Sequence, residues 1–94
     1  MKKRVRAHVI IHGRVQGVFF RAETRNMADA LGIRGWVKNN PDRTVEAVFE
    51  SDEETVAEML KWCRSGPPFA AVTDVDLRWE EYQGEFSGFE IRYQ

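Results

Sequence analysis

Along residues 5–11, Val5, Ala7, Val9 and Ile11 alternate with Arg6, His8 and Ile10. Period-two alternation predicts a strand with one buried face and one largely wet face. Gly13-Arg14-Val15-Gln16-Gly17 breaks the run. From about residue 20 to 31 the spacing becomes helical, with Phe20, Met27, Ala28 and Leu31 on one side and Gly32 where a helix-ending glycine belongs. Residues 33–39 read as a second strand carrying Trp36 and Val37. Asn40-Pro41-Asp42 then reads as a turn, with proline where its fixed φ suits. A third strand over residues 44–50 turns Val45, Ala47 and Phe49 inward. Ser51-Asp52-Glu53-Glu54 has the capping-box pattern of a second helix start, its acids beside the positive helix end. Val56, Met59, Leu60 and Cys63 line one face of that helix, and Gly66-Pro67-Pro68 follows its end. Val75, Leu77 and Trp79, then Phe89, Ile91 and Tyr93, mark two closing strands.

The order β-α-β-β-α-β-β with half-wet strands predicts an α/β (α+β) fold. The expected form is a ferredoxin-like α/β sandwich, an antiparallel sheet of four to five strands with two helices on one face. A doubly wound parallel sheet would need continuous apolar strands, which this chain lacks. At 94 residues with no repeat or linker, residues 1–94 are expected to form a single domain.

Composition narrows the function classes. Fourteen basic and 15 acidic residues leave a net charge of −1, which speaks against a nucleic-acid partner. The outward positions Arg4, Arg6, His8, Ile10, Glu46, Val48 and Glu50 also lack the aromatic pair of an RNA-binding sheet. The single Cys63 excludes an intrachain disulfide and a multi-cysteine zinc site, and suits a reducing compartment. Met1-Lys2-Lys3-Arg4 is not followed by an apolar signal segment, because Arg6, His8 and His12 interrupt it. No apolar run reaches the roughly 18 residues of a membrane span. The expectations are a cytoplasmic location, no membrane partner and a monomer.

The two helix starts differ chemically. The second brings its own cap, whereas residues 13–21 contain no Ser, Thr, Asp or Asn. Uncapped amides at a helix start favour an anion, and the glycines let the preceding loop curl into a nest. A connecting loop with merely hydrated amides is the other reading, and both stand at this point. Arg21, in the first turn, is able to reach back over the loop and offer a fork suited to phosphate. Arg25 and Arg34 are expected to be solvated, and sequence fixes no direction for Arg14. A strand–helix–strand crossover brings the end of the second strand, Asn39, to the same rim. There its amide suits a bound water, although turn asparagines commonly only shape backbone.

Gly13-Arg14-Val15-Gln16-Gly17-Val18-Phe19-Phe20-Arg21 resembles the first signature of the acylphosphatase family, and Gly35-Trp36-Val37-Lys38-Asn39 the second. The ending Gly88-Phe89-Glu90-Ile91-Arg92-Tyr93 is similar to the family's last strand, so the resemblance covers essentially the whole chain. It implies hydrolysis of small acyl phosphates without metal or cofactor. The catalytic residues it implies are Arg21, binding phosphate, and Asn39, orienting water. The implied phosphate-binding loop is Arg14, Val15, Gln16, Gly17, Val18 and Phe19. A non-catalytic phosphate- or acyl-phosphate-sensing domain of the same fold is the alternative. One departure is Asp42-Arg43, where the family often has Asp-Gly; a positive φ at Arg43 would carry a steric cost.

The chemistry is coherent in itself. A carboxylate is a good leaving group, so a site with arginine, amides and asparagine suffices without a strong general acid. His8 and His12 share a strand face about 13 Å apart, too far to share a metal, and point away from the helix side. Cys63 is expected in the core, Trp36, Trp62 and Trp79 as packing groups with Trp36 partly exposed, and the acids of residues 50–54 as helix-start electrostatics.

Overall fold

Val5, Ala7, Val9 and Ile11 are all buried, as their alternation dictates for a strand carrying one apolar face. In the computed structural model, which describes residues 2–93, this strand is β1 (Arg4–Arg14). It is followed by α1 (Phe20–Leu31), β2 (Arg34–Asn39), β3 (Val45–Asp52), α2 (Glu53–Cys63), β4 (Ala71–Glu80) and β5 (Phe89–Arg92). The five strands form one sheet in the order β4-β1-β3-β2-β5. Inward residues of the sheet join Phe20, Ala28, Val56, Met59, Leu60 and Cys63 of the helices in a single core. Removing side chains such as Phe49, Ile11 and Met59 from water contributes ~1.5–3 kcal/mol each. α1 packs on β2 and β5, and α2 on β1 and β3, which makes the ferredoxin-like sandwich.

Several expectations need correction. The sheet is mixed, not wholly antiparallel, because β5 runs parallel to β2. β4 and β5 lie at opposite edges, so residues 81–88 must cross the helix-free face to join them. Glu50 holds this strap by accepting from the Gln83 and Gly84 amides at 2.8 and 3.1 Å. The helix-free face is therefore not largely wet: Val48, Glu50 and Trp36 are buried. Trp79, expected to pack, is 52% exposed, because β4 is an edge strand lying beyond the main helix contacts. β1 runs on through Gly13 and Arg14 after a register shift at His12/Gly13, so the loop begins only at Val15. The cap of α2 is Asp52, one residue later than the Ser51 pattern suggests, because it is the Asp52 side chain that accepts from the Thr55 amide.

Candidate active site

The rim carrying Asn39 is a consequence of strand pairing. β1 and β2 both run antiparallel to β3, so they are parallel to each other and end at the same side. Ile11 and Asn39 face Val45 from either side, which sets them level, about 10 Å apart across two strand spacings. The loop of residues 15–19 continues from the end of β1 and leads into α1 at this rim.

Within that loop, Val15, Val18 and the adjoining Phe20 are buried and pin it to the core at three points. Gly17 and Phe19 both have positive φ, 74° and 66°. Glycine adopts this region freely, whereas a phenylalanine pays about 1–2 kcal/mol, strain that persists only where the surroundings impose it. Phe19 is the cap residue of α1 and supplies no side-chain hydrogen bond. Among the described residues, the amides of Val15, Gln16, Gly17, Val18 and Phe19 donate to no backbone or side-chain acceptor. Five successive unpaired donors leading into a helix N-terminus create positive potential without a formal charge.

The loop, α1, β2 and β5 enclose a cavity of about 310 Å³. Gly17, Phe19, Arg21, Asn39, Ile91 and Tyr93 are among its lining residues, and none of the lining residues is a carboxylate. The Arg21 guanidinium lies 5.2 Å from the centre of the Tyr93 ring, a cation–π contact that restricts its swing. The Asn39 Oδ1 atom is buried and has no hydrogen-bond partner among the described residues. Leaving such an acceptor unpaired costs about 1–3 kcal/mol.

The sequence-predicted residues thus divide. Val15, Gly17, Phe19, Arg21 and Asn39 line one cavity. Arg14 does not: it ends β1 opposite Ala71 with an exposed side chain. Val18 contributes its side chain to the core instead. Gln16 turns its side chain toward the β2–β3 turn, where Nε2 donates to the Asn40 and Thr44 carbonyls at 2.8 and 2.9 Å. The sequence marks that turn only as punctuation, yet it is densely bonded. Asn40 Nδ2 donates to Thr44 Oγ1 at 3.0 Å, and the Thr44 hydroxyl and amide donate to Asp42 Oδ1 at 2.6 and 3.1 Å. Bonds from the Thr44 hydroxyl and then its amide hold the Asp42 carboxyl below its ordinary pKa. Arg43 does take a positive φ, 78°.

Other titratable groups lie elsewhere. His8 sits between Glu46 and Glu80, and His12 faces Asp76, all away from the cavity. Burial pushes the Cys63 thiol up to about 12, which makes it an inert core group. Arg25 meets Asp29 at 3.8 Å on the helix surface, and Arg34 reaches the Phe86 carbonyl at 3.4 Å. A larger cavity of about 650 Å³ lies under the strap, but its cations are already matched. Arg6 pairs with Glu50, Glu80 and Glu85, and Arg92 with Glu90.

A family model described as Acylphosphatase matches residues 7–91. The chain is 54% identical over 90 residues to a Pelotomaculum thermopropionicum protein named Acylphosphatase, covering 96% of this chain and 98% of that one. The crystal structure of an acylphosphatase from Bacillus subtilis superposes with a TM-score of 0.91 at 34% identity, covering 95% of this chain and 99% of that one. An acylphosphatase structure from Coxiella burnetii gives 0.90 at 36% identity, covering 95% and 93%.

Proposed function

The chain belongs to the acylphosphatase family and has acylphosphatase activity, and from that premise we propose how its own residues carry out the hydrolysis. The substrate is a small acyl phosphate. Its phosphate sits against the amides of residues 15–19 and the Arg21 guanidinium, whose fork matches two phosphate oxygens. The Asn39 side-chain carboxamide hydrogen-bonds the attacking water and aims the water oxygen at phosphorus. As the new P–O bond forms, the bond from phosphorus to the carboxyl oxygen breaks and its electron pair leaves as carboxylate. The water's proton passes to a phosphate oxygen. Charge redistributing over the phosphoryl oxygens is stabilised by donors already in position, so little reorganisation is needed.

The observation that carries this reading is that Val15, Gly17 and Phe19 of the loop, Arg21 and Asn39 line one cavity without a carboxylate, where the loop amides and Asn39 Oδ1 have no partner among the described residues. Cation and amides come from the same chain, which supports action as a monomer, and the free, buried Cys63 accords with the cytoplasm. The one sheet built from all five strands supports reading residues 1–94 as one domain.

The test is a titration with inorganic phosphate in EDTA-containing buffer, followed by amide NMR. Saturable shifts centred on residues 15–22 and Asn39 are expected, with acetyl phosphate hydrolysis undiminished by the chelator. Shifts centred on the strap cavity, or activity restored only by added Mg²⁺ or Zn²⁺, would defeat the reading.

A further inference from the structure

The Gln16 side chain joins the two halves of the site. It sits in the loop between Val15 and Gly17, which line the cavity, while its Nε2 donates to the carbonyls of Asn40 and Thr44 at 2.8 and 2.9 Å. Those two carbonyls are also the ones that close the β2–β3 turn: Asn40 N donates to Thr44 O at 2.9 Å, and Arg43 N to Asn40 O at 3.1 Å. Gln16 therefore fills the remaining acceptor capacity of both, using both protons of one NH2 group. The turn it grips begins at the residue after Asn39 and contains Arg43 at φ 78°, a conformation that a non-glycine residue keeps only when its surroundings over-determine it. No other side chain of residues 15–19 hydrogen-bonds across to this turn among the described residues.

We infer that Gln16 is a positioning residue: its double donation fixes the turn behind Asn39 against the phosphate loop, and so sets the separation between the Asn39 carboxamide and bound phosphate. The catalytic part of this inference rests on the water-orienting reading of Asn39; the clamp itself does not. An error of about 1 Å in such a separation is able to cost about 10²-fold in rate. Because the loop keeps its own anchors at Val15, Val18 and Phe20, loss of the clamp acts mainly on the Asn39 side.

The test compares Gln16→Met, similar in length but without donors, with Gln16→Glu, both in the full chain. In Gln16→Met, the Asn39 side-chain NH2 resonances should shift and amide exchange at Arg43 should accelerate. Its kcat should fall about 10- to 100-fold, with inhibition by inorganic phosphate within about threefold of wild type. On an Asn39→Ala background the same substitution should change kcat less than about twofold, because a positioning residue has nothing left to position. In Gln16→Glu, kcat relative to Gln16→Met should recover as pH is lowered, since a protonated carboxyl regains one donor. Unchanged Asn39 resonances and exchange in Gln16→Met would overturn the clamp. A full multiplicative loss in the double variant would overturn positioning through Asn39. If the NMR changes appear but Asn39→Ala alone retains wild-type kcat, the clamp stands and the water-orienting reading falls. Should Gln16→Met fail to fold, the pH recovery of Gln16→Glu decides: a flat profile relative to wild type overturns the proposal.

Discussion

The two helices of this chain begin with the same physical problem and resolve it in opposite ways. At α2, Asp52 accepts from the Thr55 amide at 2.8 Å, and Glu53 and Glu54 place negative charge against the positive helix end. At α1, Phe19 occupies the cap in a left-handed conformation with no side-chain bond, and the amides leading into the helix stay unpaired. The first arrangement spends its donors on stability. The second leaves them unpaired, with Arg21 lining the same cavity, at a cost in backbone strain. Charge placement follows the same division: the cavity at α1 has no carboxylate in its lining, while the start of α2 carries three.

The largest effect that would sharpen this contrast is at Arg21. Arg21→Ala should lower kcat by at least roughly 10²–10³-fold and also weaken inhibition by phosphate, because in the proposed mechanism the guanidinium serves bound and transition states alike. Steady-state kinetics on acetyl phosphate measures both. Asn39→Ala comes next: kcat should fall roughly 10²-fold while the phosphate inhibition constant stays within a few-fold. Equal weakening of phosphate in both variants would mean that Asn39 is a phosphate ligand and not a holder of water. Circular dichroism establishes first that each variant is folded.

A smaller effect follows from giving α1 some of the chemistry of α2. Phe19→Asp introduces a carboxylate at the exposed mouth of the cavity and should weaken phosphate about tenfold, an effect that salt reduces. Improved phosphate binding in that variant would break the comparison. The smallest effect is at α2 itself. Asp52→Ala should lower Tm by roughly 4–8 °C with kcat unchanged well below the transition. Hydrogen bonding from Thr55, hydroxyl and amide, holds the Asp52 carboxyl below its ordinary value. A depressed folded pKa gives stability that is present above the unfolded value near ~4 and is lost as pH falls through the folded one. Wild type should therefore lose more Tm than Asp52→Asn between about pH 5 and 2, and thermal melts across that range check the sign.

Much of the candidate site's geometry is legible in the sequence. The absence of a capping side chain from residue 13 to 21 predicts an open helix start, and the crossover predicts Arg21 and Asn39 at one rim, where they line one cavity. Arg43 was marked as a position where a positive φ would carry strain, and it adopts 78°. Gln16 was read only as part of the phosphate loop, because nothing local tells an amide side chain which carbonyls it will meet 24 and 28 residues away. Gly13-Arg14 reads in the sequence as part of the break after the first strand, yet the register shift after His12 lets β1 continue past it.

What the sequence determined by itself are the features set by neighbours along the chain: the alternation that fixes each strand's inner face, the helical spacing of Phe20 and Ala28, and which helix start lacks a cap. The tertiary structure alone decided the features that depend on distant partners. It set β5 parallel to β2, drew residues 81–88 over the helix-free face through Glu50, and so buried Trp36 and Val48 where local pattern predicted a wet surface. It left Trp79 exposed on the edge strand and aimed Gln16 at the turn behind Asn39. Periodicity reports the side of an element on which a residue lies. What covers that side is settled only when the other elements, folded elsewhere in the chain, arrive against it.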